Sequence, residues 1–518
     1  MILAADRRRS ARICVYVILV LIAFGFRLFV ALRLPNDEPD DGRVYSLLAR
    51  NVIEQHGYSH DSQPPYAPSL IRLPGYPLLL ICIYKVFGVG NNTAVRVVHA
   101  LIDTATCILI ALVAFQWAVA EERRHRAALI ALALAAVCPF TAIYVATILT
   151  EVMTNFLAVA MVLATTFAFK ATSRKRALLW WIVTGLLAGC SVLFRPDAGL
   201  FAAAIGCTLI LTALTAWRRF REAVLYAALF SLMFCVVLVP WTIRNRRVFH
   251  VFQPLAPAHA EMPGEFVPRG YLLWVRTWLD DERYVGPALW ALDMKQIHTG
   301  DFPDSAFDSD EERDRVAALF NKYNHPDDEE EQASADDENQ DDEDDSNQEE
   351  EPEQPQQPEE INVEMTPEID AGFAQIGHER VAHSRLRYYV VLPLKRAATL
   401  WFDTHSQYYP FNGELLPLED LDYDIHQQYW LPLFTALTWI YTLLGLIGGW
   451  LLWRHNARKW LLLAALLMFL RLGFFATLEN PEPRYVVELF PFLMILAGAG
   501  LAAFKASATQ SVAAPTAE

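Results

Sequence analysis

Asp40-Asp41-Gly42-Arg43-Val44-Tyr45 places two adjacent carboxylates after an apolar segment of membrane-spanning length, residues 13–32. Further along the same polar segment the chain reads Arg72-Leu73-Pro74-Gly75-Tyr76-Pro77, and a long series of apolar segments follows. Placing a carboxylate beside a bilayer costs free energy because the charge loses contact with water. Ionisable residues in such positions are therefore candidates for a functional site. The sequence therefore predicts a membrane scaffold whose chemistry takes place at its outer edge.

Composition supports this class of protein. The chain has 518 residues, of which 54% are hydrophobic, and apolar runs of roughly 18 or more residues are candidates for transmembrane helices. The net charge of −16 comes from residues 327–360, which contain 19 Asp or Glu and no Lys or Arg. The rest of the chain is slightly basic, as expected for a helix bundle surrounded by membrane lipids, and nothing in it indicates a nucleic-acid partner.

The topology follows from the distribution of basic residues. Asp6-Arg7-Arg8-Arg9 precedes the first apolar segment, which is longer than the apolar part of a signal peptide and lacks a small-residue cleavage site after it. We therefore expect a retained anchor with a cytoplasmic N-terminus. Basic clusters at residues 123–126, 174–176, 218–221 and 454–459 should also be cytoplasmic.

These clusters all face inward if the short apolar stretch 77–87 is an interfacial or re-entrant helix rather than a full span. The fold class predicted is then an all-α polytopic membrane protein with about ten transmembrane helices, interfacial helices and a long exoplasmic loop. The expected spans are 13–33, 94–119, 127–146, 152–170, 177–195, 199–216, 222–240, 429–452, 459–476 and 485–504.

Residues 241–428 form the long exoplasmic loop. Its aromatic residues Trp274, Trp278, Tyr284 and Trp290 suggest short helices lying on the bilayer. Residues 300–370 should not pack, because their acidic runs repel one another and apolar residues are few; calcium binding is the alternative, but the spacing and central glycine of an EF-hand are missing.

Two further parts of the chain have expected roles outside the bundle. Residues 385–402 predict an interfacial amphipathic helix that carries basic residues toward lipid headgroups. The tail 506–518 is small and polar and should be disordered.

Each polar residue near the outer edge has a plain structural interpretation. Asp41 could cap a helix over residues 41–57, although Tyr45, four residues on, could instead line a polar cleft with it. Glu151 could complement a helix dipole, and the pairs Arg244-Asn245 and Arg484-Tyr485 could be interfacial anchors. Together, however, carboxylates and arginines at one membrane-level cavity suit group transfer from a lipid phosphate, with arginine holding phosphate and a carboxylate accepting a proton.

An ordered set of short motifs carries a family resemblance. The first loop, residues 41–50 with Gly57-Tyr58 and residues 72–77, is similar to that of GT-C membrane glycosyltransferases. It resembles most the branch that holds protein O-mannosyltransferases, the aminoarabinose transferase of lipid A and Rgt-type galacturonosyltransferases. The other matches are Leu149-Thr150-Glu151, Phe194-Arg195-Pro196, Pro240-Trp241-Thr242-Ile243-Arg244-Asn245 and Pro483-Arg484-Tyr485.

The resemblance implies inverting transfer of a hexosyl or pentosyl group from a polyprenyl-phosphate donor to a hydroxyl of a lipid, glycan or protein. Asp41 matches the acidic residue that would be the general base, and Glu151 matches the second acidic position, which would bind acceptor or donor sugar. Arg244 and Arg484 would contact the donor phosphate. The further substrate-binding candidates are Asp40, Tyr45, Arg72, Tyr76, Arg195, Asn245 and Tyr485.

Where many relatives have a second carboxylate directly after the Asp, this chain has Gly42, while Asp40 precedes, so either aspartate could be the base. No metal-ligand cluster is visible, and no cofactor is expected. The implied organisation is a catalytic membrane module at 1–240 with its first exoplasmic loop at 34–75, the loop 241–428, and C-terminal helices at 429–505. The location implied is the plasma or inner membrane, with the site on the periplasmic or exoplasmic side.

A transporter or flippase of lipid-linked glycans is the competing class. It would predict inverted repeats and charges near the bilayer midplane. No repeat is evident, and the charged residues cluster outside the spans with Arg27, Asp103 and Arg471 as exceptions. A catalytically inactive relative of the transferases is a third hypothesis.

Overall fold

The computed structural model describes residues 2–34, 40–214, 220–257, 259, 261–326, 363–403 and 425–504. In these ranges the regular elements are helices. In chain order they are α1 (Ile2–Arg33), α2 (Asp40–Ile53), α3 (Gly75–Phe87), α4 (Asn92–Trp117), α5 (Arg124–Ala136), α6 (Pro139–Ala142), α7 (Glu151–Lys170), α8 (Arg174–Phe194), α9 (Gly199–Leu214), α10 (Phe220–Phe249), α11 (Arg269–Arg276), α12 (Asp310–Asn324), α13 (Pro367–His383), α14 (Leu392–Phe402), α15 (Ile425–Arg454), α16 (Arg458–Ala476) and α17 (Phe490–Leu501).

The predicted membrane class is confirmed. In the described part of the chain, nine helices are long and apolar enough to cross a bilayer, and a tenth span is possible if the pair Glu121–Ala136 and Pro139–Ala146, bent by 54°, counts as one. The short helix α3 has 13 residues, which is below the roughly 20 that a spanning helix needs. The protein is therefore a multi-pass membrane protein, and α3 does not add a full span.

The described chain divides into two compact units. The first comprises Met1–Pro263, Gln407–Arg471 and Arg484–Glu518, apart from the gaps given above, and it contains the spanning helices α1, α4 and α7–α10 with most of α15–α17. The segment Pro483–Leu501 lies at its centre, since 89% of its apolar window is buried, whereas only 17% is buried in α1 and in α10. Exposed Leu and Ile side chains on α1 and α10 fit contact with lipid, because lipid replaces water as their surroundings.

Small residues let the central helix approach its neighbour. A Cβ atom on Gly500 would lie 2.1 Å from the carbonyl oxygen of Gly448, and one on Gly448 would lie 2.2 Å from that of Leu496. Both distances are far below van der Waals contact, so only glycine fits where α15 crosses α17. Close backbone approach through glycine is a typical way for membrane helices to pack, since burial alone gains little in lipid.

One charged pair lies inside the bundle. Arg27 Nε donates to Asp103 Oδ2 at 2.5 Å, and both side chains are buried. The same guanidinium donates to the carbonyl oxygens of Ala135 and Ala136, the last two residues of α5. This pair thus joins α1, α4 and the end of α5, and it accounts for two of the three mid-span charges as a structural contact.

The second unit comprises Gly264–Ser406 and Leu472–Pro483, again apart from the gaps given above. It has its own aromatic core, in which Trp274, Trp278, Phe320 and Phe373 are 0–2% exposed. The prediction that the loop aromatics lie on the bilayer surface is therefore wrong for Trp274 and Trp278. The two rings pack against each other, and Trp274 also packs against Phe320 of α12 and Phe373 of α13. Trp290 alone of the three tryptophans is exposed.

The prediction that residues 300–370 do not pack is wrong at both ends. Ser309 caps α12 and Thr366 caps α13, and Arg380 of α13 makes a buried ion pair with Glu312 of α12. Apolar residues at helical spacing, such as Val316 and Phe320, were hidden among the acidic ones and supply the core contacts. The acidic stretch 327–360 and the tail 506–518 lie outside the described residues.

The segment 385–402 is helical, as α14 and a preceding π-helical turn, Arg387–Val391. Two of its basic residues, Arg396 and Lys395, contact other parts of the protein. Arg396 is buried and donates to the carbonyl oxygens of Leu279 and Arg276 at 2.6 and 2.5 Å, and Lys395 pairs with Asp280 at 2.9 Å. Burial lowers the pKa of Arg396 to about 10. The predicted headgroup role is therefore wrong for these residues.

Candidate functional site

Asp41 lies in the first turn of α2, where a carboxylate also matches the positive end of the helix dipole. The helix is held in place by its apolar face, on which Leu48 and Ala49 are fully buried, and Ala49 packs with Tyr76 and Leu80 of α3. The side chain of Asp40 lies outside the described residues, so its role stays a prediction.

Two arginines from distant parts of the chain meet the Asp41 carboxylate. Arg72 Nη2 donates to Oδ1 at 2.6 Å, and Arg484 Nη1 lies 3.4 Å from Oδ2. Burial opposes ionisation, but the charges of Arg484 and Arg72 outweigh it and hold the pKa of Asp41 below its usual value of 3.8. Asp41 is therefore an ionised carboxylate at neutral pH, with two guanidinium groups beside it.

Glu151 begins α7, and Arg195 follows the end of α8. Arg195 Nη1 donates to Glu151 Oε1 at 2.7 Å, and Arg195 Nε donates to Asp197 Oδ1 at 3.1 Å. The nearby carboxylates, with Asp197 first, raise the pKa of Arg195 well above its usual value against the effect of burial. Arg195 is thus a permanent cation shared between carboxylates.

A second buried arginine completes this network. Arg471, which is 0% exposed, lies 2.6 Å from Asp197 Oδ2 and 2.9 Å from Glu488 Oε2. Its Nε donates to the carbonyl oxygen of Tyr485 at 2.8 Å. Arg471, noted in the sequence as an exceptional mid-span charge, therefore belongs to the site.

The sequence motifs did not predict a site role for Asp197, Arg471 or Glu488. Asp197 stands two residues after Arg195, and Glu488 stands four residues after Arg484, so both are about one helical turn or less from residues that were singled out. A lone carboxylate in the apolar stretch 485–504 was the signal that could have identified Glu488.

Tyr485 joins the two groups of charges. The guanidinium of Arg195 lies 5.6 Å from the centre of its ring and that of Arg484 lies 5.1 Å away, within the range of cation–π contacts. We define the charge cluster as these four arginines and four carboxylates, whose formal charges balance: Arg72, Arg195, Arg471, Arg484, Asp41, Glu151, Asp197 and Glu488.

Tyr45 and Tyr76 form a pair of contacting aromatic rings near Asp41. Their rings meet edge to face with centroids 5.0 Å apart, and the Tyr76 hydroxyl lies 3.2 Å from His99 Nε2. Burial raises the pKa of Tyr45 to about 12, although the charge of Arg72 opposes the shift. The Tyr45 hydroxyl thus stays protonated and can donate a hydrogen bond.

Arg244 and Asn245 lie in a different group of contacts. The Arg244 guanidinium stacks on the rings of Tyr58, Trp241 and Phe249 at 4.9–5.2 Å and donates to the Ser69 carbonyl oxygen at 2.7 Å. Asn245 donates to the carbonyl oxygen of Gln253 at 2.8 Å. These contacts fasten the first loop to the end of α10.

Of the sequence-predicted site residues, the structure therefore brings Asp41, Tyr45, Arg72, Tyr76, Glu151, Arg195, Arg484 and Tyr485 into one region. It holds Arg244 and Asn245 by other contacts. Within the described ranges, no group of three or more His, Cys, Asp or Glu side chains could hold a metal ion. The charge cluster can bind an anion through its arginines and accept a proton through its carboxylates.

Comparison with solved structures reveals distant similarities. The Archaeoglobus fulgidus oligosaccharyltransferase tethered with an acceptor peptide containing the NVT sequon has 12% identity and a TM-score of 0.48, over 94% of this chain and 49% of that chain. ArnT from Cupriavidus metallidurans bound to undecaprenyl phosphate has 14% identity and a TM-score of 0.38, over 94% of this chain and 78% of that chain. The chain thus spans about half the length of the oligosaccharyltransferase. Among curated proteins, none matches this sequence.

Residues 17–253 match the model of the family described as dolichyl-phosphate-mannose-protein mannosyltransferase. The matched stretch contains α2–α10 and, with them, Asp41, Arg72, Glu151 and Arg195. The match covers a little less than half of the chain, and it confirms the resemblance to GT-C membrane glycosyltransferases drawn from the motifs.

Proposed function

We propose that this protein transfers a hexosyl or pentosyl group from a polyprenyl-phosphate donor to a hydroxyl of a lipid, glycan or protein acceptor, with inversion at the anomeric carbon. The observation that carries the proposal is the Asp41 carboxylate held by Arg72 and Arg484 at the start of α2. The family match over residues 17–253 supports it.

Arg72 and Arg484 are the residues we assign to the donor phosphate. A planar guanidinium matches two phosphate oxygens, and Arg484 is only loosely held by Asp41, at 3.4 Å. Arg244 is a weaker candidate for contact with the donor phosphate than the resemblance implied, because three aromatic rings and the Ser69 carbonyl oxygen already surround its guanidinium.

Asp41 is the general base in this proposal. The acceptor hydroxyl oxygen forms a bond with the anomeric carbon while Asp41 takes its proton, and the bond between that carbon and the phosphate oxygen breaks. Polyprenyl phosphate leaves with the bonding electrons, so no general acid is required. Because the arginines lower the pKa of Asp41, a donor phosphate that neutralises them would make Asp41 more basic when the donor is bound.

Glu151 and Tyr45 would orient the sugar or the acceptor. Arg195 occupies Glu151 Oε1, while Oε2 has no partner among the described residues and can accept a hydrogen bond from a hydroxyl group. The protonated Tyr45 hydroxyl would donate a hydrogen bond to a substrate oxygen. Asp40, Tyr76, Asn245 and Tyr485 keep supporting roles as substrate-binding candidates.

We propose an exoplasmic or periplasmic site in a plasma or inner membrane, with a cytoplasmic N-terminus. Supporting this, Glu151 and Arg195 lie at the ends of α7 and α8 that are opposite the basic turn 174–176, which the positive-inside rule places in the cytoplasm. A membrane-impermeant thiol reagent would test it in intact cells, with all native cysteines replaced. A cysteine in place of Ser62 should react and one in place of Ser173 should not; the reverse labelling would contradict the topology.

The transporter alternative gains nothing from the mid-span charges. Arg27 and Asp103 satisfy each other and backbone carbonyls, and Arg471 belongs to the charge cluster. These contacts account for all three mid-span charges, so none of them indicates a path for an ion or a transported substrate.

The test is transfer of radiolabelled sugar from polyprenyl-phosphate donors in membranes, with Asp41→Asn compared with wild type. We expect the variant to lose about 10²–10⁴-fold in rate, the range that general base catalysis contributes. Glu54→Gln is a matched control, because Glu54 follows α2 and is exposed. Equal rates for Asp41→Asn and wild type would move the base to Asp40 or Glu151, and no transfer with any donor by a well-folded wild type would favour the inactive relative.

A further inference from the structure

Asn155 is a buried polar side chain that neither the fold nor the proposed chemistry uses. It lies in α7 and is 1% exposed. Neither its amide nitrogen nor its amide oxygen has a hydrogen-bond partner among the described residues. An unsatisfied buried amide costs free energy, so a position with only a packing role would favour an apolar residue.

Ser191 is the second such side chain, on the neighbouring helix α8. It is 0% exposed, and its hydroxyl likewise has no partner in the described part of the chain. Other hydroxyls of these two helices behave differently. Thr154, Thr165, Thr166 and Thr184 each donate to the carbonyl oxygen four residues earlier, at 2.8–3.0 Å.

The helix geometry places these two residues next to the charge cluster. α7 and α8 are joined by a short turn, and the Glu151–Arg195 contact at 2.7 Å joins their far ends, so the helices are antiparallel. Asn155 follows Glu151 by four residues, and Ser191 precedes Arg195 by four. Both therefore lie about one helical turn, about 6 Å, deeper in the bundle than that ion pair, and Asn155 lies on the same face of α7 as Glu151.

Glu151, one helical turn above these two side chains, contributes a further group. Its Oε1 accepts from Arg195, while its Oε2 is buried without a hydrogen-bond partner among the described residues. The unpartnered atoms are thus a carboxylate oxygen, an amide nitrogen and oxygen, and a serine hydroxyl. They offer both donors and acceptors but no uncompensated positive charge, which suits neutral hydroxyl groups rather than a phosphate.

We propose that Asn155, with Ser191 and Glu151 Oε2, is a subsite that binds sugar hydroxyl groups and positions the sugar relative to Asp41. The proposal rests on the proposed transferase function and names how that site recognises its substrate. The hydroxyls belong either to the sugar of the donor or to the acceptor, and the two sources predict different kinetic changes. Asn155 is a positioning residue here and takes no part in proton transfer.

The first measurement is the thermal unfolding of the full-length protein without substrate, for wild type, Asn155→Leu and Thr165→Val as a matched control. Because Asn155 has no partner to lose, Asn155→Leu should unfold at the same Tm as wild type or higher. A Tm several degrees lower would show that Asn155 makes a structural hydrogen bond and would overturn the inference, whether or not the chain is a transferase.

The second measurement is steady-state transfer from the polyprenyl-phosphate sugar that wild type turns over. Loss of hydrogen bonds to the sugar should raise one KM about tenfold or more in Asn155→Leu, with a smaller rise in Ser191→Ala and none in Thr165→Val. A rise in the KM of the donor identifies the donor sugar as the ligand, and a rise in that of the acceptor identifies the acceptor. Unchanged values of both KM would overturn the inference while leaving the transferase function intact, whereas a wild type without activity would refute that function itself.

Discussion

Replacing Arg195 tests the charge cluster most directly, because this side chain reaches three carboxylates. It lies 2.7 Å from Glu151, 3.1 Å from Asp197 and 3.5 Å from Glu488, and Glu151 and Glu488 are 2% and 0% exposed. Arg195→Met leaves Glu151 buried without its cation. Breaking a buried pair in this way costs about 3–5 kcal/mol, since the remaining charge is desolvated and uncompensated.

The expected decrease in Tm is about 6–10 °C, at roughly 2 °C per kcal/mol for a large chain. Arg195→Lys keeps the charge but loses the planar fork, so its cost should be about 1.5–3 kcal/mol. The intrinsic fluorescence of the 14 tryptophans reports unfolding of the purified protein in detergent. The matched control is Arg50→Met, because the exposed pair Arg50–Glu54 on α2 is worth only about 0–1 kcal/mol.

A Tm for Arg195→Met within about 2 °C of that for Arg50→Met would refute the reasoning, since a surface pair is worth at most about 1 kcal/mol. It would mean that water or a rearranged side chain compensates Glu151, and that the cluster does not hold the ends of α7 and α8 together. The second check is the Tm of Arg195→Lys, which should lie between those of wild type and Arg195→Met. This variant keeps the positive charge but loses the planar guanidinium, so it separates the effect of charge from that of geometry.

Three further outcomes are expected. Arg484→Gln removes a cation that lowers the pKa of Asp41, so Asp41 should become protonated at a higher pH than in wild type. The acidic limb of the plot of kcat/KM against pH should therefore move to higher pH. An unchanged limb would show that this limb does not report the protonation of Asp41. Arg244→Met should lower Tm by several degrees through loss of the bond to Ser69 without raising the KM of the donor, and a selective tenfold rise in that KM would restore its assignment to the phosphate. Trp274→Ala should destabilise the second unit by about 3–5 kcal/mol because the ring is fully buried, measured by limited proteolysis of that unit; wild-type resistance would contradict the aromatic core.

The first loop shows how far local sequence signals reach. The apolar spacing after Asp41 predicted a helix, and α2 indeed runs over Asp40–Ile53. The motif at residues 72–77 was also recognised, but not that Arg72 would reach back to Asp41. Residues four apart on a helix are neighbours because of the helix geometry. The approach of two separate segments, by contrast, depends on the tertiary packing of the helices that carry them.

The long loop shows where such signals mislead. The acidic residues around α12 hid Val316 and Phe320, whose spacing is helical and whose side chains are buried. Interfacial tryptophans and core tryptophans have the same residue type, and only their partners distinguish them. Trp274 became a core residue because Phe320 and Phe373, from distant parts of the loop, pack on it.

The membrane class, the number of spans to within one, and the resemblance to GT-C membrane glycosyltransferases could all be predicted from the sequence. These properties depend on local sequence, since the length of an apolar run and the order of short motifs can be recognised without knowledge of tertiary contacts. The pairing of each arginine with its carboxylate, by contrast, depends on how the helices pack. Asp41 and Arg484 stand at opposite ends of the chain, and their contact exists because helix packing, which depends on close approaches such as that of Gly448 and Gly500, brings those ends together.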